Sequence, residues 1–188
     1  PDPDAVVHIA HLSNIGDIKA YGAEVDLTWL ATDYLTIQAS AGMTNSEIDK
    51  SNFNFNGVLP LSGGGSAEGR NTPNYSKFSS NVIARYERPV SDALFGHFQA
   101  EYNYRSSKDL SLITNPTMET PLFHEPGYGL LNLRAGITPQ EGGWSLTASV
   151  DNVTESIYRV EARGDGLYGV RELYGAPRTW RLNVSYDF

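Results

Sequence analysis

The chain has 188 residues, with 14 Lys and Arg against 22 Asp and Glu, so its formal net charge is −8. This acidic balance argues against a nucleic-acid partner, because phosphate binding needs a basic face. The absence of cysteine excludes disulfides and thiolate metal sites. No apolar run approaches the roughly 18 to 20 residues of a membrane helix, and the mean hydropathy is −0.36. That value does not exclude membrane strands, which are apolar on one face only.

The first residues, Pro1 to Asp4, include neither an initiator Met nor a signal peptide. We therefore expect a processed piece or a fragment of a longer chain. His8 and His11 follow, three positions apart. On a strand this spacing places them on opposite faces, so a shared metal ion is not expected.

Seven segments then alternate apolar and polar residues, and helical periodicity is almost absent. Period 2 predicts strands with two different faces. No charged residue falls within the apolar set, while Ile83, Phe95 and Leu130 are apolar residues on the polar face. In chain order the apolar sets run from Tyr21 to Trp29, Leu35 to Met43, Phe78 to Tyr86, Phe98 to Tyr104, Leu131 to Ile137, Trp144 to Val150, and Trp180 to Phe188.

The connections between these segments alternate in length. Short turns lie at 31–34, 87–93 and 138–143, and long loops at 46–74, 106–126 and 153–175. Short turns on one side and long loops on the other are typical of an all-β, antiparallel transmembrane β-barrel with periplasmic turns. This orientation places Phe188 at the periplasmic rim, near Trp29, Tyr34, Phe95 and Trp144, and places Tyr75, Tyr104 and Tyr128 nearer the outer rim.

Three stretches carry a resemblance to a known family. They are Asn14-Ile15-Gly16 with Tyr21 to Leu27, Asp151-Asn152-Val153-Thr154 with Tyr158-Arg159, and Tyr174-Gly175-Ala176-Pro177-Arg178-Thr179-Trp180 leading to Phe188. In this order and spacing they resemble TonB-dependent outer-membrane receptors. We expect Gly22 where a side chain is crowded out, Asn152 bonded to nearby backbone, and Arg178 near the outer rim.

The resemblance implies a barrel of about 22 strands filled by a plug domain. Residues 1–188 would be the carboxy-terminal portion, about seven up-and-down strands, with the plug and earlier strands absent. The family imports scarce nutrients, most commonly ferric siderophores, driven by the TonB complex through the missing amino-terminal region. The barrel-assembly machinery would read the terminal strand through Trp180, Leu182, Val184, Tyr186 and Phe188. Outer-membrane lipid and a small-molecule ligand are the other expected partners, and no cofactor or metal is expected.

Two groups of residues are candidates for contact with a ligand. The long loops suggest extracellular capture, with Tyr158, Arg159, Arg163, Tyr168 and Arg171 as contacts. The lumen-facing set consists of Glu24, Asp26, Arg85, His97, Glu101, Arg134 and Arg181. Its three arginines either line a path for an anionic ligand, or pair with Glu24, Asp26, Glu101 and Asp187 or with the missing plug; we favour pairing.

Two other functions stay open on the sequence. One is an outer-membrane barrel enzyme, a phospholipase or protease, although no Ser-His-Asp arrangement or nucleophile elbow stands out. The other is a soluble β-sandwich binding module, because a sandwich also alternates apolar and polar residues.

Overall fold

The computed structural model describes residues 16–51, 68–111, 123–165 and 169–187. His8, His11, Tyr168 and Phe188 lie outside these ranges. Across them, no helix has the length and apolar character needed to cross a bilayer. The strands, in chain order, are β1 (Gly16–Thr32), β2 (Leu35–Ser51), β3 (Phe78–Pro89), β4 (Leu94–Arg105), β5 (Lys108–Asp109), β6 (His124–Glu125), β7 (Tyr128–Pro139), β8 (Trp144–Asp151), β9 (Arg159–Asp165), β10 (Gly169–Tyr174) and β11 (Thr179–Tyr186).

One antiparallel sheet holds the seven predicted strands, in the order β1-β2-β3-β4-β7-β8-β11. Among these strands every neighbour in the sheet is also the next one along the chain, which is an up-and-down arrangement. The strands β1 and β2 contain 17 residues each, well beyond the ~5–6 of soluble sheets. The predicted all-β, antiparallel barrel segment is therefore confirmed.

The register aligns the apolar residues of all seven strands on one face. One row runs Leu27, Ala39, Val82, Tyr102 and Leu131 through four successive pairings. Because directly opposed residues share a face, the apolar surface is continuous across the sheet.

This apolar face is not covered by a second layer of the described chain. Leu182 is 71% exposed and Val25 is 62% exposed. The buried apolar side chains in the described ranges are Ile48, Leu110 and Ala162, all toward the long loops. A soluble sandwich would bury its apolar face against another sheet, whereas a membrane barrel turns this face to lipid. The sandwich alternative therefore fails.

The short turns gather at one edge of the sheet. The Thr32 side-chain oxygen accepts hydrogen bonds from the backbone N–H groups of Tyr34 (3.2 Å) and Leu35 (3.0 Å), closing the first turn. Gly143 takes a positive φ of 95° in the third turn, where glycine has no steric cost. The Asp187 N–H donates to the Gly143 carbonyl at 2.9 Å. The end of β11 therefore lies at the short-turn edge, as the alternation of loops predicts.

The opposite edge contains more regular structure than the sequence predicts. The strand β2 continues to Ser51, β5 pairs with β6, and β9 and β10 form a hairpin, all within stretches expected to be loops. The prediction missed the hairpin because Arg159, Glu161 and Arg163 make β9 too polar for a membrane strand. Above the membrane a strand needs hydrogen bonding but no apolar face.

The three local expectations drawn from the resemblance hold. Asn152, buried and at a φ of 51°, donates through Nδ2 to the carbonyls of Ser156 (3.0 Å) and Ala176 (3.2 Å). A Cβ at Gly22 would lie 2.2 Å from the Met43 carbonyl oxygen. Arg178 lies at the long-loop edge and pairs with Glu155 at 2.5 Å. The strand exit after β8 is thus held by a side chain that replaces missing backbone partners.

A pair of substitutions on β11 tests the assignment of the two faces. In the full-length protein, Leu182→Arg places a charge on the apolar face, while Asn183→Arg places it on the polar face next along the strand. We expect Leu182→Arg to cost about 2–4 kcal/mol of unfolding free energy at mid-bilayer depth, measured by denaturant titration in lipid vesicles. Asn183→Arg should cost less than half as much. Equal losses, or a larger loss for Asn183→Arg, would contradict the assignment.

Candidate functional site

A polar cleft opens at the long-loop edge, where the stretches after β2 and around β5 and β6 meet. Its volume is about 360 Å³. Lys77, Lys108, Asp109 and His124 are the charged or titratable side chains of its wall. The remaining lining residues are Ser46, Asn71, Thr72, Tyr75, Phe78, Ser106 and Ser107.

Backbone hydrogen bonds hold the cleft in shape. The segment 68–77 folds back along β2. The Ile48 N–H donates to the Arg70 carbonyl at 3.0 Å, and the Thr72 N–H donates to the Ser46 carbonyl at 3.1 Å. Ile48 is fully buried beneath this fold-back. At the far end the Asn74 N–H donates to the Asp109 carbonyl at 2.6 Å. Two predicted capture loops are therefore joined into one wall.

The cleft is locally cationic in an acidic chain. Lys77 is exposed and Lys108 is half-buried. Burial lowers the pKa of the Lys108 ammonium, and the nearby Arg105 cation acts in the same direction, while Glu125 opposes them. Asp109 is the one carboxylate residue in the lining, and its Oδ1 lies 2.9 Å from His124 Nδ1. A desolvated ammonium gains from an anionic oxygen, so the cleft is suited to a ligand that is rich in oxygen acceptors.

Arg159 fastens the hairpin to the wall of this cleft. Its Nε lies 2.8 Å from Glu125 Oε2, its Nη1 lies 2.8 Å from Glu172 Oε1, and its Nη2 donates to the His124 carbonyl at 2.6 Å. The Arg159 and Glu125 side chains are only 13% and 6% exposed. The Arg159 guanidinium thus links β6, β9 and β10, and it binds the backbone of His124 rather than its side chain.

The other predicted ligand contacts lie on or beside the same hairpin. The Tyr158 ring stacks on Tyr128 at 4.4 Å. Arg163 pairs with Glu161 at 3.0 Å, and Arg171 is exposed directly opposite Arg163. Tyr168 is outside the described residues. Contact of any of these residues with a ligand stays a prediction.

Lys77, Lys108 and His124 were not predicted. Each comes from a different stretch of the chain, and only the fold-back of 68–77 and the pairing of β5 with β6 bring them together. A signal in the sequence was present in the turn residues Pro73-Asn74, where Asn74 has a φ of 61°. That turn predicts a reversal, but not the strand against which it packs.

The predicted lumen residues all fall on the polar face by register. One row contains Arg85, Gln99, Arg134, Ser149 and Arg181. Glu101 accepts from Asn103 at 2.8 Å. Glu24 and Asp26 line a shallow polar hollow near β1.

The arginines of this row pair with other carboxylates than those we expected. Arg85 pairs with Glu87 at 2.7 Å, and Arg181 pairs with Asp151. Both partners lie on the same face and close by, so long side chains reach them more easily than Glu24 or Asp26 across the sheet. Within the described ranges no ion pair involves Arg134.

The remaining predicted site residues are His97 and those of β11. His97 lies opposite Gly136, and a Cβ there would come within 2.4 Å of its ring. The described parts of the chain contain no cluster of three metal-ligating side chains. Trp180, Leu182, Val184 and Tyr186 are exposed on the apolar face, and Phe188 is outside the described residues.

Removing the Arg159 guanidinium should release the hairpin. In Arg159→Gln, Glu125 is left buried without its cation, which costs about 3 kcal/mol. We expect faster proteolytic cleavage within 159–174 in the folded full-length protein. The matched control, Arg163→Gln, removes an exposed pair worth ~0–1 kcal/mol and should leave the cleavage rate near that of the parent. Equal rates for all three proteins would contradict the role of Arg159.

Acid should loosen the same hairpin. The Tyr174 hydroxyl and then Arg159 lower the pKa of the Glu172 carboxyl by hydrogen bonding. A carboxyl whose pKa is lowered by folding stabilises the fold above its ordinary pKa, and this contribution is lost as the pH falls through the folded-state pKa. Cleavage within 159–174 should therefore rise as the pH falls below the ordinary glutamate pKa of 4.5, and less steeply in Glu172→Gln.

Three solved structures resemble the chain in fold. The ferric yersiniabactin uptake receptor FyuA from Yersinia pestis has a TM-score of 0.75 and 17% identity over 95% of this chain and 25% of its own. BauA, the ferric preacinetobactin receptor from Acinetobacter baumannii, has a TM-score of 0.67 and 19% identity over 92% and 22%. The ferric-catecholate import receptor Fiu from K12 E. coli has a TM-score of 0.65 and 16% identity over 91% and 21%. The chain thus spans about a quarter or less of each.

Sequence comparison identifies the family. No curated protein matches the chain, but the family model described as "TonB dependent receptor-like, beta-barrel" matches residues 2–153. This family consists of receptors, so the alternative of a barrel enzyme is set aside. The match covers most of the chain and agrees with its sheet, its apolar face and its alternating loops. The chain therefore belongs to the TonB-dependent receptor β-barrel family, whose members lie in the outer membrane of Gram-negative bacteria.

Proposed function

We propose that residues 1–188 are the carboxy-terminal portion of the barrel of a receptor that imports a ferric siderophore by TonB-dependent active transport. The family match over residues 2–153 carries the proposal of transport. The choice of ligand is supported by the three solved structures of similar fold, which are receptors for ferric yersiniabactin, ferric preacinetobactin and ferric catecholates.

The cleft between the long loops is the proposed place of first contact. Ferric siderophores present iron-bound and peripheral oxygen acceptors, and many are anionic. Lys77 and Lys108 supply ammonium donors, and Tyr75, Asn71 and Thr72 supply neutral polar groups of the same lining. The hairpin with Arg163 and Arg171 rises beside it and would add a second, exposed cationic surface.

The polar face of the sheet would form the lumen wall. We propose that Arg134, at the centre of the row between Arg85 and Arg181, faces the plug and pairs with one of its carboxylates or with the passing ligand. The TonB complex would act through the amino-terminal region that precedes this portion. The apolar face would contact outer-membrane lipid.

Neutralising Lys108 tests the cleft. In the full-length receptor, Lys108→Gln should weaken binding of the cognate ferric siderophore about tenfold, the loss expected for one charge-assisted hydrogen bond. Lys50→Gln is the matched control, since Lys50 is an exposed lysine of β2 outside the cleft. Binding is measured by tryptophan fluorescence quenching against a panel of catecholate, hydroxamate and carboxylate chelates.

Three outcomes would distinguish an error in the proposed site from an error in the proposed ligand or transport mechanism. If Lys50→Gln and Lys108→Gln bind equally well, the cleft is not the capture site. If no ferric chelate binds and uptake tracks another nutrient, the siderophore assignment fails while the transport assignment stands. If an intact TonB complex is not needed for uptake, the transport mechanism itself is contradicted.

The terminal strand offers a test of assembly. We propose that the barrel-assembly machinery reads Trp180, Leu182, Val184, Tyr186 and Phe188. Deleting Phe188 from the full-length receptor should lower its outer-membrane abundance severalfold and leave the ligand affinity of the inserted molecules unchanged. The measurement is quantitative immunoblotting of membrane fractions beside a Phe188→Trp control. Unchanged abundance after deletion would count against this role.

A further inference from the structure

A groove runs along the apolar face near the short-turn edge, and it is distinct from the cleft. Its volume is about 450 Å³. The floor is made of the small residues Gly96, Ala135 and Ala148, and the sides of larger ones that include Phe98 and Leu182. Nearly all of its exposed surface is apolar.

The register explains why the groove exists. Tyr86, Phe98, Ala135, Ala148 and Leu182 form one row across the sheet. Two alanines lie between the aromatic rings on one side and leucine on the other, so the row is low in its middle. The groove is therefore a consequence of residue size along an uninterrupted row of paired strands, not of a break in the strands.

Arg88 lies at the end of this groove, on the same face. It is opposite Gly96, one row closer to the short turns than Tyr86. Its Cζ is 5.9 Å from the centre of the Tyr34 ring, and its Nη1 lies 3.5 Å from the Tyr86 hydroxyl. No ion pair in the described ranges involves Arg88. The groove thus ends in an exposed guanidinium that pairs with no carboxylate of the described residues.

We propose that this groove binds one glycerophospholipid, with its phosphodiester at Arg88 and an acyl chain along the floor of Gly96, Ala135 and Ala148. A guanidinium matches the phosphate with two parallel donors, and the Tyr86 hydroxyl adds a third group. A free phosphate ion would gain nothing from the apolar floor, so the floor favours a lipid over such an ion as the ligand. The lipid comes from the periplasmic leaflet, which rests on the orientation in the proposed function.

The position of Arg88 near the end of its strand keeps the free-energy cost of its charge on this face low. A charge on the lipid-facing surface costs about 2–4 kcal/mol at the bilayer midplane but ~0–1 near the interface. Arg88 precedes the last residue of β3 by one position, so it lies at headgroup depth. A neighbouring protein is a poorer fit, because a stable interface needs on the order of 1,000 Å² and the groove offers one cation and a narrow floor.

Lipid retention tests the proposal in the full-length receptor. The parent, Arg88→Gln and Ala148→Phe are extracted, delipidated and returned to micelles with phosphatidylglycerol or phosphatidylethanolamine, and bound lipid is counted by native mass spectrometry. We expect one retained phospholipid in the parent and about tenfold weaker retention in both variants, through loss of the charge-assisted bond in one and through filling of the floor in the other. Arg163→Gln, which removes a charge far from the groove, should match the parent.

Each alternative has its own signature. Equal retention in the parent and both variants means annular lipid only and overturns the proposal. Equal retention of diacylglycerol, which lacks the phosphate, also overturns it. If Arg88→Gln loses copurified lipopolysaccharide rather than phospholipid, the short-turn edge lies at the outer leaflet. That result would overturn the proposed phospholipid site and the periplasmic orientation of the short turns, but not the assignment of transport. Loss of a dimer instead of a lipid would identify a second protein chain as the occupant.

Discussion

The structure depends on one constraint, which is that seven strands pair in a register that keeps the apolar and polar residues on opposite faces across the middle of the sheet. A slip by one residue in any strand would move its apolar set to the opposite face. The row from Leu27 to Leu131 crosses four pairings without such a slip. In a bilayer the hydrogen bonds of this ladder are obligatory, since lipid offers no substitute partner. The pairing register therefore decides both the hydrogen bonds of the sheet and which of its faces is apolar.

The long-loop edge obeys a different rule, because it has neither lipid nor a large core to stabilise it. Its buried apolar residues are few, so polar side chains hold the segments. Asn152 binds the backbone of the strand exit through Ser156 and Ala176, and Arg159 joins β6 to the hairpin. Networks of this kind are specific in geometry and sensitive to the loss of one member. They are suited to holding a binding surface in one shape above the membrane.

The sequence predicted the parts governed by period 2 and missed those governed by tertiary contact. All seven sheet strands, both faces and the placement of Gly22, Asn152 and Arg178 follow from alternation, turn length and the motifs. The β9–β10 hairpin was missed because its residues alternate without an apolar face, so no membrane pattern marks it. The cleft was missed because Lys77, Lys108 and His124 meet only through the fold-back of 68–77. The expected pairing of Arg85 and Arg181 was right in kind, but the partners proved to be Glu87 and Asp151.

The placement of charge on β3 shows how position decides the role of one residue type. Arg85 and Arg88 are three residues apart and therefore lie on opposite faces. Arg85 lies on the polar face, where Glu87 pairs with it at 2.7 Å. Arg88 faces outward, and it is tolerated there because the strand ends at the next residue. Other charges on this face, which include the Lys19–Asp49 ion pair and Glu47, likewise lie toward the long-loop ends of β1 and β2. Between these ends the apolar face of the described strands carries no charge. Under the proposed lipid-facing orientation, an arginine is therefore expected on it only where headgroups begin, which is also where a phosphate is available.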